Sequence, residues 1–372
     1  MSLFPDDEPD ARWSAPDPVR EERRSASIGW LLITGAIAGT VVLGLLPSPY
    51  VVERPGPVFD TLGDIRIDDE SLPVIDIDGA ETFPTDGRLD LLTVSVDGSR
   101  DSPLSWLEIA AAWFQSSRAV VPIEAVYPDG QTREESDQES AAEMANSQQE
   151  AVAAAFEQLD IAYDVVVAGV IEDAPADGVL ETGDQLLTAG GHPIDGITDL
   201  RAAIGENGTS DPMALTVLRD GAKREVSITP VEASVNDSTP VIGIQAGYEF
   251  PFDVTIHLDN VGGPSAGTMF ALGVYDKLTD GPLTGGEHVA GTGTIRADGS
   301  VGPIGGIRQK LFGARDAGAA VFLAPQSNCD EVTGHIPPGL DVYAIGTLDD
   351  AIDVVEAVGT GRTTSSLARC PA

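Results

Sequence analysis

The sequence predicts an α/β (α+β) fold, a second and smaller β-rich unit, and one N-terminal transmembrane helix. Strands and helices alternate in the last third of the chain, as is typical of an α/β domain. Residues 161–233 instead alternate short strands with glycine turns, which indicates a small β-rich unit. Residues 27–46 carry no charge. A helix of that length spans about 30 Å, the thickness of the hydrocarbon layer of a bilayer.

The composition excludes several classes of function. The 372 residues include 60 Asp and Glu against 21 Lys and Arg, which gives a formal net charge of −39. A surface this acidic repels phosphate backbones, so we expect no nucleic-acid partner. The HExxH, CxxC and GxxxxGK[ST] motifs are absent and the 4 histidines show no metal-ligand spacing. We therefore predict that the protein needs no metal and no cofactor.

The N-terminus is predicted to anchor the protein in the membrane. Residues 1–26 are rich in proline and charge and predict a disordered tail. Residues 27–47 form the predicted transmembrane helix, which ends at its proline. A cleaved signal peptide is the alternative, because Ala36-Ile37-Ala38 has the small-residue pattern of a cleavage site. The apolar run continues to Leu46, longer than the hydrophobic region of a typical signal peptide, which favours an uncleaved anchor.

Positive charge sets the expected orientation. Arg20, Arg23 and Arg24 lie just before the apolar run, whereas only Arg54 lies close behind it. The positive-inside rule then places the N-terminus in the cytoplasm and the remaining chain outside. We expect a single-pass protein of the cell membrane with extracytoplasmic domains.

The other elements follow in order. Residues 48–160 begin with strands, including 88–96, and continue with helices at 104–116 and 134–159. The second helix carries a stripe of Met144, Ser147, Ala151, Ala155 and Phe156 at helical spacing. Residues 161–233 contain a hairpin that turns at Asp220-Gly221. Residues 234–360 alternate strands (252–258, 321–324, 342–345) with helices (265–278, 307–317, 348–357), and residues 361–372 form a C-terminal tail.

Ser265 lies at a predicted strand-to-helix turn, within Asn260-Val-Gly-Gly-Pro-Ser-Ala-Gly267. Glycines allow backbone and substrate to approach closely there, and free N–H groups at a helix N-terminus can hold a developing oxyanion. Gly263, Pro264 and Ala266 are the candidate supporting residues. The alternative is that Ser265 is a helix N-cap, and this motif alone favours the cap.

Lys310 lies on the apolar stripe of the helix 307–317, together with Ile307, Leu311 and Ala314. A lysine on an apolar face is usually a snorkelling side chain. The functional alternative is that burial lowers its pKa, because a neutral lysine can take a proton from a serine hydroxyl. The sequence contains only Lys223, Lys277 and Lys310, which makes an accidental placement less expected.

Together these two motifs resemble the proteolytic domain of the Lon proteases over about residues 252–358. The matching segments are Gly-Pro-Ser-Ala-Gly at 263–267 and Pro-Ile-Gly-Gly-Ile-Arg-Gln-Lys at 303–310. The resemblance implies a Ser–Lys dyad with Ser265 as nucleophile and Lys310 as general base. It maps the supporting threonine of the family to Thr292, within His288-Val-Ala-Gly-Thr-Gly-Thr-Ile295.

Two features depart from the Lon pattern. Gly262 replaces the acidic residue that Lon proteases usually have three positions before the serine, so support of the dyad differs. No ATPase motor is present, so ATP dependence is not implied.

The middle of the chain is similar to bacterial PDZ domains, on the segment Ala174-Pro-Ala-Asp-Gly-Val-Leu-Glu-Thr-Gly-Asp-Gln-Leu-Leu187. PDZ domains bind extended peptides by adding them as a strand. Ile161, Val165 and Val167 are the candidate peptide-binding residues. The segment Glu143–Ala151 resembles the helix that precedes the catalytic strand in Lon domains, which would make residues 88–159 part of the protease fold and the PDZ unit an insertion in it. The alternative is an independent N-terminal domain before the PDZ unit. Both alternatives stay open.

The combined resemblance is to membrane-tethered, PDZ-containing Lon-like proteases of Gram-positive bacteria. It implies an ATP-independent serine endopeptidase that acts on protein or peptide substrates and contacts the cell membrane through one helix. A homo-oligomer stays open because full-length Lon relatives form rings. The rival hypothesis is a non-catalytic PDZ scaffold or adaptor at the membrane. Outside the cell, Cys329 and Cys370 are expected to form a disulfide.

Overall fold

The computed structural model describes residues 19–67, 70–127, 133–234, 237–258 and 261–371. Residues 1–18 of the predicted tail, and Asn260, lie outside these ranges. The α-helices are α1 (Val19–Leu45), α2 (Trp106–Trp113), α3 (Ile123–Val126), α4 (Arg133–Gln158), α5 (Ile197–Asn207), α6 (Gly267–Leu278), α7 (Ile307–Ala317), α8 (Cys329–Val332) and α9 (Leu348–Gly359), with a 3₁₀ turn at Gln326–Asn328. The strands are β1 (Tyr50–Asp60), β2 (Asp64–Ile67), β3 (Glu70–Pro73), β4 (Ile75–Asp78), β5 (Arg88–Asp97), β6 (Ala119–Pro122), β7 (Asp164–Val170), β8 (Gln185–Ala189), β9 (His192–Pro193), β10 (Met213–Arg219), β11 (Ala222–Ile228), β12 (Val231–Ser234), β13 (Asp237–Val241), β14 (Ile244–Glu249), β15 (Asp253–Ile256), β16 (His288–Gly291), β17 (Thr294–Ile295), β18 (Val301–Gly302), β19 (Val321–Pro325) and β20 (Asp341–Ile345).

Helix α1 exposes large apolar side chains between Trp30 and Leu45. Trp30 is 70% exposed, Leu31 74% and Leu45 77%. Over the part of the chain that the structure describes, no helix is both long and apolar enough to cross a membrane.

The main sheet joins strands from both ends of the chain, in the order β20-β19-β16-β5-β1-β6. Strands β5, β16, β19 and β20 are parallel neighbours, whereas β1 runs antiparallel to β5 and β6. Because β1, β5 and β6 come from residues 48–160, that segment is part of the same fold as the C-terminal third. The β-rich unit lies in sequence between β6 and β16 of this one sheet, as the first alternative expects, and is called the inserted unit below.

Both faces of the main sheet are covered. Alternate residues of the strands point to opposite faces, so Leu91 packs with α4, α6 and α9, whereas Leu92 packs with α7. The three stripe residues of α7 (Ile307, Leu311 and Ala314) are fully buried. The mixed α/β fold is thus confirmed, with α6 and α7 on opposite sides of one sheet.

The inserted unit has its own sheet, in the order β11-β10-β8-β7-β14, with α5 packed on it. The predicted hairpin is present, since β10 and β11 pair from Met213–Ile228 to Arg219–Ala222 across the turn. Strand β14 pairs antiparallel with β7 along its length. The sheet of the inserted unit therefore extends to Glu249, beyond the predicted boundary at residue 233.

Helix α4 links the inserted unit to the main fold. Tyr248 of β14 donates its hydroxyl to Glu150 of α4 at 2.8 Å. Phe156 of α4 packs edge-on against Phe250, with ring centroids 5.2 Å apart. The opposite side of α4 packs against α6 and contributes Met144 and Ala151 to the core of the main fold. One helix therefore contacts both the PDZ-like sheet and the layer that carries Ser265.

Candidate active site

Ser265 and Lys310 meet although their helices cover opposite faces of the sheet. The Nζ atom of Lys310 lies 2.7 Å from Oγ of Ser265 and 2.9 Å from Oγ1 of Thr292. Ser265 lies in the turn before α6, Lys310 in the first turn of α7, and Thr292 directly after β16. Because β16 ends at Gly291, the two side chains can meet beyond the end of that strand. The structure thus brings together the three residues that the sequence selected.

Lys310 is almost fully enclosed, with 2% of its surface exposed. Burial disfavours the charged ammonium and lowers the pKa of Lys310 to about 7. A substantial fraction of the side chain is therefore neutral at neutral pH. This is the protonation state that a general base requires.

Thr292 fixes the direction of the hydrogen bonds around Lys310. Its hydroxyl donates to the backbone carbonyl of Ser265 at 2.9 Å, so its free lone pair faces Lys310. Lys310 then donates one N–H to Thr292. In the neutral amine, the nitrogen lone pair is left to accept the proton of the Ser265 hydroxyl.

The turn that carries Ser265 is held from two sides. The carbonyl of Ser265 accepts from the N–H of Gly293 at 2.9 Å, in addition to Thr292. From α4, Ser147 donates its hydroxyl to the carbonyl of Pro264 at 3.0 Å. A Cβ at Gly267 would lie 2.8 Å from the Ser147 oxygen, so only glycine allows this approach. The sequence alone assigned no role to Ser147. A polar residue on the buried stripe of α4 is the feature that could have indicated a hydrogen bond in the core.

The predicted oxyanion group needs a correction. The N–H of Gly263 donates to the carbonyl of Ser140 at 2.9 Å and is therefore occupied. Proline has no N–H, so Pro264 contributes only the carbonyl that Ser147 holds. Within the described ranges, no acceptor lies at the N–H groups of Ser265 and Ala266. These two groups, rather than that of Gly263, are the donors available to an oxyanion.

The departure at Gly262 has a steric cause. A Cβ at this position would lie 2.6 Å from Cβ of Ser140, closer than real Cβ contacts. Helix α4 thus leaves no room for a side chain at position 262, and among the described residues Thr292 is the hydrogen-bond partner of the Lys310 side chain besides Ser265.

A cavity of about 510 Å³ lies beside the dyad. Its apolar lining includes Phe59, Leu92, Met144 and Val261, and Lys310 is the one charged side chain among its described lining residues. A neighbouring cavity of about 920 Å³ shares Met144 and Val261 with it. The two cavities therefore adjoin beside the dyad, and together they are called the active-site groove below.

The predicted peptide-binding residues of the inserted unit are misplaced. Val165 and Val167 are 0% and 1% exposed and belong to the core, and β7 is paired on both edges, by β8 and by β14. Ile161 precedes this strand and is only partly buried. A peptide cannot be added to a strand whose two edges are filled, so the prediction is wrong for β7. The outer strand on this side of the sheet is β14.

Ser147→Ala is expected to lower kcat by roughly 2- to 10-fold, the effect of losing one ordinary hydrogen bond at Pro264. The pH dependence should not change, because Lys310 and Thr292 are untouched. Steady-state kinetics with a fluorogenic peptide would measure it. Ser140→Ala is the matched control on the same helix, since it keeps the carbonyl that holds Gly263. Equal kcat in wild type and Ser147→Ala would show that Ser147 does not position the nucleophile.

Comparison with known proteins agrees with this geometry. Residues 225–357 match the model of the Lon protease (S16) C-terminal proteolytic domain, and residues 135–229 match that of the PDZ domain. Lon protease 2 of Herpetosiphon aurantiacus is 35% identical over 120 residues, which are 30% of this chain and 14% of the relative. Lon protease 1 of Sorangium cellulosum is 37% identical over 93 residues, 24% of this chain and 11% of the relative.

Among solved structures, the PDZ domain of an SdrC-like protein from Listeria monocytogenes is 23% identical. The match covers 22% of this chain and 85% of the Listeria chain, and its TM-score is 0.21. The chain spans only 14% and 11% of the lengths of the two Lon proteases. Ser265, Thr292 and Lys310 all lie within residues 225–357, the part of the chain that matches the model of the proteolytic domain. The chain therefore carries the proteolytic domain of the Lon-type (S16) serine endopeptidases, together with a PDZ domain.

Proposed function

We propose that this protein is a membrane-anchored, ATP-independent serine endopeptidase that cleaves membrane-associated or secreted proteins. The observation that carries the proposal is the 2.7 Å contact between Ser265 and a Lys310 that is enclosed at 2% exposure. A structural serine needs no such partner, and burying a lysine lowers the stability of the fold, a cost that a catalytic role explains.

The geometry supports a two-step acyl transfer. Neutral Lys310 takes the proton of Ser265 while Oγ attacks the substrate carbonyl. The N–H groups of Ser265 and Ala266 are proposed to hold the oxyanion that forms. The Lys310 ammonium then gives its proton to the leaving amine, and an acyl-enzyme remains. Water, deprotonated by the same lysine, hydrolyses the ester and releases Ser265.

Two sequence features support the remaining parts of the proposal. No P-loop motif occurs in the 372 residues, so the reaction is proposed to proceed without ATP hydrolysis by this chain. Residues 27–46 are uncharged, and α1 exposes its apolar side chains, which suits lipid surroundings. With the arginines on the N-terminal side, the catalytic and PDZ domains are proposed to lie outside the cytoplasm.

The PDZ domain is proposed to select substrates through β14. This strand pairs with β7 on one edge and is the last strand of its sheet, so a peptide can add along the other edge. Tyr248 of β14 is hydrogen-bonded to α4, the helix that also holds the carbonyl of Pro264. Helix α4 would thus connect a peptide on β14 with the turn that carries Ser265, through the hydrogen bonds Tyr248–Glu150 and Ser147–Pro264.

The test compares full-length wild type with Ser265→Ala in detergent, using a chemically unfolded protein as substrate. Wild type should release fragments, and Ser265→Ala should release none above background while it melts at the same temperature. Equal cleavage by the two chains would refute the protease mechanism. Binding of the substrate by both chains without cleavage by either would support the PDZ adaptor instead.

A further inference from the structure

Helix α2 presents an apolar surface to solvent. Leu107 is 44% exposed, Trp113 64% and Phe114, directly after the helix, 91%. The opposite side of α2 carries Ile109 and Ala112, which are buried against the main fold. A single exposed apolar side chain needs no partner, but three at one short helix form a patch of the kind that marks a contact with a protein or a membrane. The exposed side of α2 is called the aromatic surface below, and it consists of Leu107, Trp113 and Phe114.

The aromatic surface continues the apolar surface of α1. The N–H of Trp106 donates to the carbonyl of Leu46 at 3.2 Å, and that of Ser48 to the carbonyl of Leu104 at 2.8 Å. Near this junction Leu45 is 77% exposed and Leu46 48%. Whatever surrounds the end of α1 therefore also reaches α2.

Charge excludes an electrostatic role for this surface. The only charged residue between Trp106 and Phe114 is Glu108. Its carboxylate accepts from the N–H and the hydroxyl of Ser105, at 2.8 and 2.7 Å, and so caps its own helix. The remaining side chains are apolar or aromatic, and the chain as a whole has a formal net charge of −39, which anionic lipids repel.

We propose that the aromatic surface lies in the headgroup region of the membrane, in contact with zwitterionic lipid, next to the point where α1 leaves the bilayer. The inference rests on the anchor of the proposed function. Tryptophan and phenylalanine suit this region because their rings are apolar and the tryptophan N–H finds polar partners there.

The contact would fix the protease domain on the membrane. Trp106 packs edge-on against Tyr50 at 5.8 Å, and Ile109 packs with Val52. Both partners lie in β1, a strand of the main sheet. Since α2 cannot move without this sheet, lipid contact at Trp113 and Phe114 sets the height and tilt of the active-site groove above the bilayer.

The experiment uses tryptophan quenching in the full chain, which contains Trp13, Trp30, Trp106 and Trp113 and no other tryptophan. The Trp113 chain carries Trp13→Phe, Trp30→Phe and Trp106→Phe, and the Trp30 chain carries Trp13→Phe, Trp106→Phe and Trp113→Phe. Both are placed in phosphatidylcholine vesicles whose acyl chains carry bromine either near the headgroup or near the bilayer centre.

The Trp113 chain is expected to lose roughly half of its emission with bromine near the headgroup, and clearly less with bromine at the centre, as interfacial tryptophans do. Ile171→Trp in a chain without other tryptophans is the control, because Ile171 is exposed directly after β7 of the inserted unit, and its emission should not change. Peptidase activity checks that each chain is folded. If Trp106→Phe does not fold, chains with Trp106 alone and with Trp106 and Trp113 are compared.

The Trp113 chain tests the lipid contact of the aromatic surface, and the Trp30 chain tests the membrane anchor of the proposed function. Unquenched Trp113 overturns the lipid contact, and with Trp30 quenched it indicates a protein partner or a second copy on the aromatic surface. Unquenched Trp30 overturns the anchor of the proposed function. Trp113 quenched mainly from the bilayer centre would also overturn the inference, because it would place α2 inside the hydrocarbon layer.

Discussion

Lys310→Arg is expected to reduce kcat by roughly 10²- to 10⁴-fold, the usual contribution of a general base. The guanidinium of arginine stays protonated at every pH at which the protein is folded, so it cannot accept the proton of Ser265. Lys310→Met should have the same effect on turnover without a buried charge. Single-turnover and steady-state cleavage of a fluorogenic peptide by the full-length chain would measure both variants.

The wild-type pH profile gives the same prediction a second readout. Burial lowers the pKa of Lys310 to about 7, and only the neutral amine is a base. The value of kcat/KM should therefore rise with pH, reach half of its maximum near pH 7 and level off above it. Lys277→Arg is the matched control, since Lys277 lies in the last turn of α6, away from the dyad, and should keep full activity. Substantial turnover by Lys310→Arg would assign the base to another group.

The dyad was predictable because two local motifs occur together and jointly resemble the Lon proteolytic domain. Each motif alone favours another explanation, a helix N-cap for Ser265 and a snorkelling side chain for Lys310. The occupied N–H of Gly263 was not predictable in this way. It depends on the carbonyl of Ser140, which α4 brings in from more than a hundred residues earlier in the chain.

The pairing of β14 with β7 was likewise not predictable from the sequence. Residues 244–249 follow the β-rich unit in sequence and read as the beginning of the catalytic domain. In the structure they return to the inserted sheet as β14 and close the edge of β7. Alternation of apolar residues identifies a strand, but it does not state which strand becomes its neighbour. For this reason the fold class was predictable from the sequence and the peptide-binding edge was not.

Removing the disulfide is the second large effect that we expect. Cys329 and Cys370 are bonded, 41 residues apart in sequence. The disulfide holds the C-terminal residues beside β20. There the N–H of Ala344 donates to the carbonyl of Ala368 at 3.0 Å, and the Arg369 guanidinium lies 4.5 Å from the Tyr343 ring. Closing a loop of this length contributes about 3–4 kcal/mol to the free energy of unfolding in the chain-entropy model.

The variant with Cys329→Ala and Cys370→Ala should therefore unfold at a clearly lower urea concentration than the oxidised wild type, and proteases should cut its C-terminal residues first. Non-reduced tryptic digestion of the wild type should yield residues 370–372 linked to residues 316–362. Reduced wild type is the control, because it keeps both thiols packed and lacks only the bond. If reduction leaves the urea midpoint unchanged, the bond does not stabilise the fold, and the last residues are held by their contacts with β20 alone.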